Sequence, residues 1–134
     1  MTDKKQIVRE WLDIGALGPA EKWHDLCAKD LVVRFPYGPP PVQRELRGFD
    51  EALATCSAHW KNMAKFEWHD VVIHATDDPD LFISTARSET ETVGGVAYCN
   101  NYVLLTRFRD GKIVEHVEYF DPMLVIEMMK SLGG

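Results

Sequence analysis

The sequence predicts an α+β fold in which helices pack on one face of an antiparallel or mixed sheet. Helical periodicity dominates up to residue 61, and long alternating runs fill residues 66–120. The turns between those runs are too short to hold crossover helices, which excludes an alternating parallel arrangement.

Taken in order, residues 4–16 place Ile7, Trp11 and Ile14 at helical spacing, with Val8 and Leu12 beside them. Gly15, Gly18 and Pro19 end that helix. Pro19 suits the first turn of a second helix carrying Trp23, Leu26 and Cys27 on one face. Leu31 to Phe35 reads as a short strand, and PYGPPP (36–41) as a proline-stiffened loop. Residues 49–61 return to a helical pattern through Phe49, Leu53, Cys56 and Trp60. Alternating runs follow at 66–76, 81–93, 96–109 and 112–120. They are joined by TDDPD, Gly94-Gly95 and the hairpin signal Asp110-Gly111. In the last run, alternation puts Val114, His116, Glu118 and Phe120 on one face and Ile113, Glu115, Val117 and Tyr119 on the other. Asp121-Pro122 is an N-cap and first helical residue, opening a closing helix from Met123 to Leu132.

A chain of 134 residues can bury one core without staples, and no linker or repeat divides it. The net charge of −6, with 15 scattered Lys and Arg, argues against nucleic acid and anionic membrane as partners. Cys27, Cys56 and Cys99 are odd in number and far apart, which fits buried free thiols in a reducing, cytoplasmic compartment. The N-terminal segment is amphipathic and lacks the apolar stretch of a signal peptide. His24, His59, His69, His74 and His116 form no metal-binding spacing; strict alternation sends His69 and His74 to opposite faces. No phosphate-binding or dinucleotide glycine pattern occurs, so neither a metal nor a cofactor is expected.

Four stretches carry a family resemblance: RG (47–48), FEWHDVVIHATDDPDLF (66–82), YCNNY (98–102) and DGKIVEHVEYFDP (110–122). Through them the chain resembles SnoaL-like proteins of the nuclear transport factor two-like superfamily, and its wording is similar to that of the phenazine-biosynthesis A/B proteins. The resemblance implies a single SnoaL-like domain over residues 1–134, with a cone-shaped, cystatin-like curved sheet wrapped by helices. It also implies an apolar pocket inside the cone, a small cyclic or aromatic apolar ligand, no nucleotide cofactor, and a homodimer through the outer sheet face.

By the same resemblance, Glu118 matches a glutamate proposed as general acid/base in the phenazine proteins. A carboxylate in an apolar cavity loses solvation in its charged form, which suits it to exchanging protons near neutrality. Relatives similar to limonene epoxide hydrolase carry an acid at this place and an Arg-x-Asp pair on the strand that here reads Arg87-Ser88-Glu89. Arg87, Glu89 and Glu118 would then surround a water. A functional histidine of the phenazine proteins falls on Thr55, with His59 one turn later as its candidate replacement. Tyr98 and Asn100 share a strand face and could reach a ligand, as could His116 and Phe120, while Trp60, Phe66 and Trp68 suit core packing or a cavity wall, with core the safer reading at this spacing. The acids used by steroid-isomerase relatives are replaced by Phe35 and by Leu104 or Leu105, which argues against that route. Three functions stay open: a cofactor-free isomerase, cyclase or condensation enzyme, an epoxide-hydrolase-like water addition, and a non-catalytic binding or dimerisation domain.

Overall fold

The computed structural model describes residues 3–132. Helix α1 spans Lys4–Leu17, capped by the Asp3 carboxylate on the Lys5 amide, and α2 spans Ala20–Leu26. Strand β1 (Cys27–Arg34) and the short β2 (Glu45–Arg47) precede α3 (Phe49–Trp60). The long strands are β3 (Met63–Ala75), β4 (Leu81–Thr92), β6 (Asn101–Arg109) and β7 (Lys112–Phe120), with a two-residue β5 (Ala97–Tyr98). Helix α4 (Pro122–Ser131) closes the described chain, with the Asp121 side chain accepting from the Met123 amide at 2.9 Å.

The strands form one curved sheet in the order β2-β1-β7-β6-β4-β3, with β5 pairing β4. β1 lies parallel to β7, and the other pairings are antiparallel. The sheet is therefore mixed. That follows from β1, which is joined to β7 through most of the chain instead of by a tight turn and so escapes the hairpin rule. The inner face packs Leu104, Phe108 and Ile113 against Val8 and Trp11 of α1 and Ala52 of α3. Burying such side chains contributes roughly 1.5–3 kcal/mol each.

Several boundaries differ from the periodicity reading. β1 begins at Cys27, so that residue leaves the second helix and opens a strand. β2 was not anticipated, because three residues carry too little alternation to register. The run 96–109 is two strands interrupted at Cys99 and Asn100, where the Asn100 side chain binds backbone. Cys99 is exposed, so only Cys27 and Cys56 meet the expectation of covered thiols.

Two β-bulges correct the face assignments. On β7, Phe108 pairs with Ile113 but Arg107 pairs with Glu115, so Val114 is an extra residue. Ile113 thereby joins His116, Glu118 and Phe120 on the inner face, against the simple alternation. On β3, the register shifts between His69 and Val72, with Asp70 at φ 54°. His69 pairs with Arg87 and His74 with Ile83, so both histidines face outward instead of opposing one another.

Candidate active site

A cavity of about 340 Å³ opens between the inner sheet face, the C-terminal half of α1, α3 and α4. Its wall is mostly aromatic and aliphatic. Three indoles are locked to α1 by their N–H groups: Trp68 donates to the Leu12 carbonyl at 2.9 Å, Trp60 to Gly15 at 3.1 Å and Trp23 to Ile14 at 3.4 Å. These bonds satisfy the indole donors and leave hydrocarbon ring surface as the cavity lining. Val125, Met128 and Met129 of α4 cover the opposite side.

Strand β7 delivers His116 and Glu118 to this cavity as i and i+2 neighbours. The His116 side chain is 4% exposed and that of Glu118 25%. His116 Nε2 lies 3.0 Å from Glu118 Oε2, and His116 Nδ1 lies 3.1 Å from Thr106 Oγ1. Thr106 is fully buried and stands directly opposite His116 on β6. Trp11 packs edge-on against the imidazole at 5.4 Å. Both ring nitrogens are thus occupied. With Glu118 ionised, Nε2–H donates to the carboxylate and Nδ1 accepts from the threonine hydroxyl. With Glu118 protonated, both bonds can reverse. Glu118 Oε1 has no hydrogen bond from the described residues.

The neighbours of Glu118 are held neutral. Burial pushes the Cys56 thiol up to about 12, and the negative charge of Glu118 adds to it. The Tyr98 and Tyr102 hydroxyls are also raised, by burial first and by Glu118 among the smaller causes. At neutral pH both phenols are therefore hydrogen-bond donors beside a carboxylate.

The expected site residues divide. Glu118, His116, Phe120, Tyr98, Trp60, Trp68 and Phe66 line the cavity. His59 lies at its rim and is exposed, and Thr55, half-buried, is outside the lining. Asn100 is 1% exposed and faces no ligand space. Its Nδ2 donates to the Tyr98 hydroxyl at 2.8 Å and to the Asp121 carbonyl at 3.0 Å, and its Oδ1 accepts from the Asp121 amide at 2.9 Å. It is a brace that aims Tyr98 and anchors the start of α4.

Arg87 and Glu89 are not brought to Glu118. On β4 the buried positions are Phe82, Ser84, Ala86, Ser88, Thr90 and Thr92, so the odd-numbered Arg87 and Glu89 face the outside of the sheet. There Arg87 pairs with Asp70 at 2.6 Å and with Glu89 at 3.0 Å. The acid–arginine–acid cluster around a water is therefore not formed. The outer face does gather Glu67, His69 and Glu89, whose ligating atoms lie within 4.8 Å of one another. Spacing along one strand could not reveal this group, because Glu89 comes from the neighbour. Lys65 and Arg87 already neutralise its carboxylates.

Cys56 and Tyr102 were missed as cavity residues. Cys56 lies one turn from Trp60 on α3, and that spacing is the available signal. Tyr102 lies at the start of β6 opposite Phe120, a pairing that alternation across the break at Cys99 and Asn100 does not supply.

Comparison with known proteins agrees with this architecture. The pattern of the SnoaL-like domain matches residues 8–116. An uncharacterised PhzA/B-like protein of Pseudomonas aeruginosa is 30% identical over 97% of this chain and 90% of its own length. Among solved structures, a putative isomerase from Bacillus subtilis superposes with a TM-score of 0.81 at 19% identity, covering 91% of this chain and 88% of its own. The BvnE pinacolase from Penicillium brevicompactum superposes with a TM-score of 0.78 at 14% identity, covering 97% and 96%. No helix among the described residues is long and apolar enough to cross a membrane.

Proposed function

The chain belongs to the SnoaL-like domain family, and from that premise we propose that it is a cofactor-free acid/base enzyme acting on a small cyclic or aromatic molecule. One observation carries the reading: a carboxylate, Glu118, inside an aromatic cavity and hydrogen-bonded to a buried histidine at 3.0 Å. Glu118 takes a proton from a carbon acid of the bound ring and returns it at another atom. His116 steadies the carboxylate by donating Nε2–H to Oε2 while Oε1 takes up and releases the proton, and Thr106 holds the ring from its far side. The Tyr98 hydroxyl is neutral and accepts from Asn100, which leaves its own proton to donate to an oxygen that gains negative charge. Isomerisation, cyclisation and condensation all need this proton transfer in a cavity sheltered from water. A cavity of about 340 Å³ suits one or two rings.

The test is deuterium exchange at the carbon beside the carbonyl of 1-tetralone and other ring ketones in D2O. The wild-type protein is expected to accelerate exchange over buffer, and Glu118→Gln to lose at least about 100-fold of it with the fold intact. Exchange unchanged in Glu118→Gln removes the acid/base role. No acceleration for any ring ketone moves the function to ligand binding.

Two further parts of the proposal concern setting. The compartment is reducing, in keeping with three free cysteines. Two copies pair through the outer sheet face, where Val72 and Val103 are 48% and 42% exposed on one cross-strand row, either side of Thr85. Sedimentation as a dimer supports that pairing, and a monomer across the micromolar range refutes it.

A further inference from the structure

The cavity is sorted by charge as well as by shape. No lysine or arginine lines it among the described residues, and Glu118 is its one carboxylate. Arg34, Arg87 and Arg107 sit elsewhere, each paired with acids. Several of the neutral donors in its wall are already occupied. The indole N–H groups of Trp23, Trp60 and Trp68 bind α1 carbonyls, and both nitrogens of His116 are hydrogen-bonded. His59, at the exposed rim, is the remaining group there able to become cationic. What faces a ligand is a carboxylate oxygen set among aromatic rings whose π faces carry negative charge.

We propose that the ligand is a one- or two-ring compound carrying a basic nitrogen, bound as an ammonium or iminium against Glu118, and that carboxylates are rejected. A carboxylate entering this cavity would lose its hydration and meet a like charge with no cation to offset either cost. An ammonium would gain an ion pair in a low-dielectric setting together with cation–π contact. The proposal rests on reading the cavity as the ligand site. It does not rest on catalysis, since a binding protein would show the same preference.

Isothermal titration with three ligands of one skeleton tests it: 2-naphthylmethylamine, 2-naphthylmethanol and 2-naphthoate, at neutral pH and low salt. The amine is expected to bind at least about tenfold tighter than the alcohol, a difference of about 1.4 kcal/mol, with the carboxylate weakest. In Glu118→Gln the advantage of the amine over the alcohol is expected to collapse. An alcohol or carboxylate that binds as tightly as the amine overturns the proposal. So does an amine advantage that survives Glu118→Gln, or no binding by any of the three. Because 1-tetralone is neutral, the exchange assay reports on the acid/base reading separately, and either can fail alone.

Discussion

Two histidine–glutamate arrangements occur on opposite faces of one sheet, at nearly the same distances. Inside, His116 meets Glu118 at 3.0 Å; outside, His69 meets Glu67 and Glu89, each at 3.2 Å. The chemistry of the side chains is the same, and the surroundings are not. The outer histidine is 32% exposed and its acids 45–48%, with Lys65 and Arg87 competing for them. The inner pair has no cation beside it, and its imidazole is fixed on the far side by Thr106. Water and salt weaken the first arrangement and reach the second poorly. Identical residue pairs are therefore a surface feature on one side of a strand layer and a candidate proton relay on the other.

The sharpest way to break this comparison is to remove the same acid on each face. Glu118→Gln is expected to abolish proton exchange, and Glu89→Gln to leave it unchanged in the same assay. Equal losses would show that the cavity is not where the proton moves.

A smaller effect, on stability, should follow from the histidines. His116→Ala leaves Thr106 and Glu118 without a partner and opens space beside Trp11. A cost of about 2–4 kcal/mol is expected in urea denaturation, whereas His69→Ala should leave the urea midpoint where it is. If both variants shift alike, the inner pair has no special standing.

The cysteines offer a third contrast. Burial raises Cys27 and Cys56 from 9.0 to about 12, while Cys99 is exposed. A folded-state value above the unfolded one means the folded chain keeps the proton longer. That stability is complete below pH about 9 and is lost as pH climbs towards about 12. Urea midpoints should fall across this window, and Cys56→Ala should flatten the fall where Cys99→Ala does not. The smallest effect belongs to Arg87→Ala, which removes exposed ion pairs and is expected to change neither melting temperature nor ligand binding.

Much of this was legible in the sequence, for identifiable reasons. Helices and strands announce themselves by period, so α1, α3 and the long strands appeared within a few residues of their true limits. Asp121-Pro122 gave α4, because a capping carboxylate and a preset φ act locally. Glu118 was placed by its family wording and by parity with Phe120. What alternation could not supply was absolute facing. Arg87 and Glu89 do share a side, but only the packing of α1 and α3 decides which side is inside. Asn100 looked like a ligand contact because a buried amide and a binding amide are the same residue type; its partners, Tyr98 and Asp121, depend on how two chain segments meet. The bulges at Val114 and Asp70 carried no warning, since each is a departure from the rule used to read the strand.

The extra residue at Val114 also gives β7 a store of chain length, and that store lies on one side of the site only. A deletion between Lys112 and His116 can be absorbed by straightening the strand, with Ile113, His116 and Glu118 all still facing inward. A deletion at Val117 has no such reserve: His116 and Glu118 become sequence neighbours and point to opposite faces. Tolerance to length change is thus expected to switch abruptly within five residues, silent before the histidine and ruinous after it. Shortened variants across this strand would read the boundary directly, as a step in ligand binding with little change in expression.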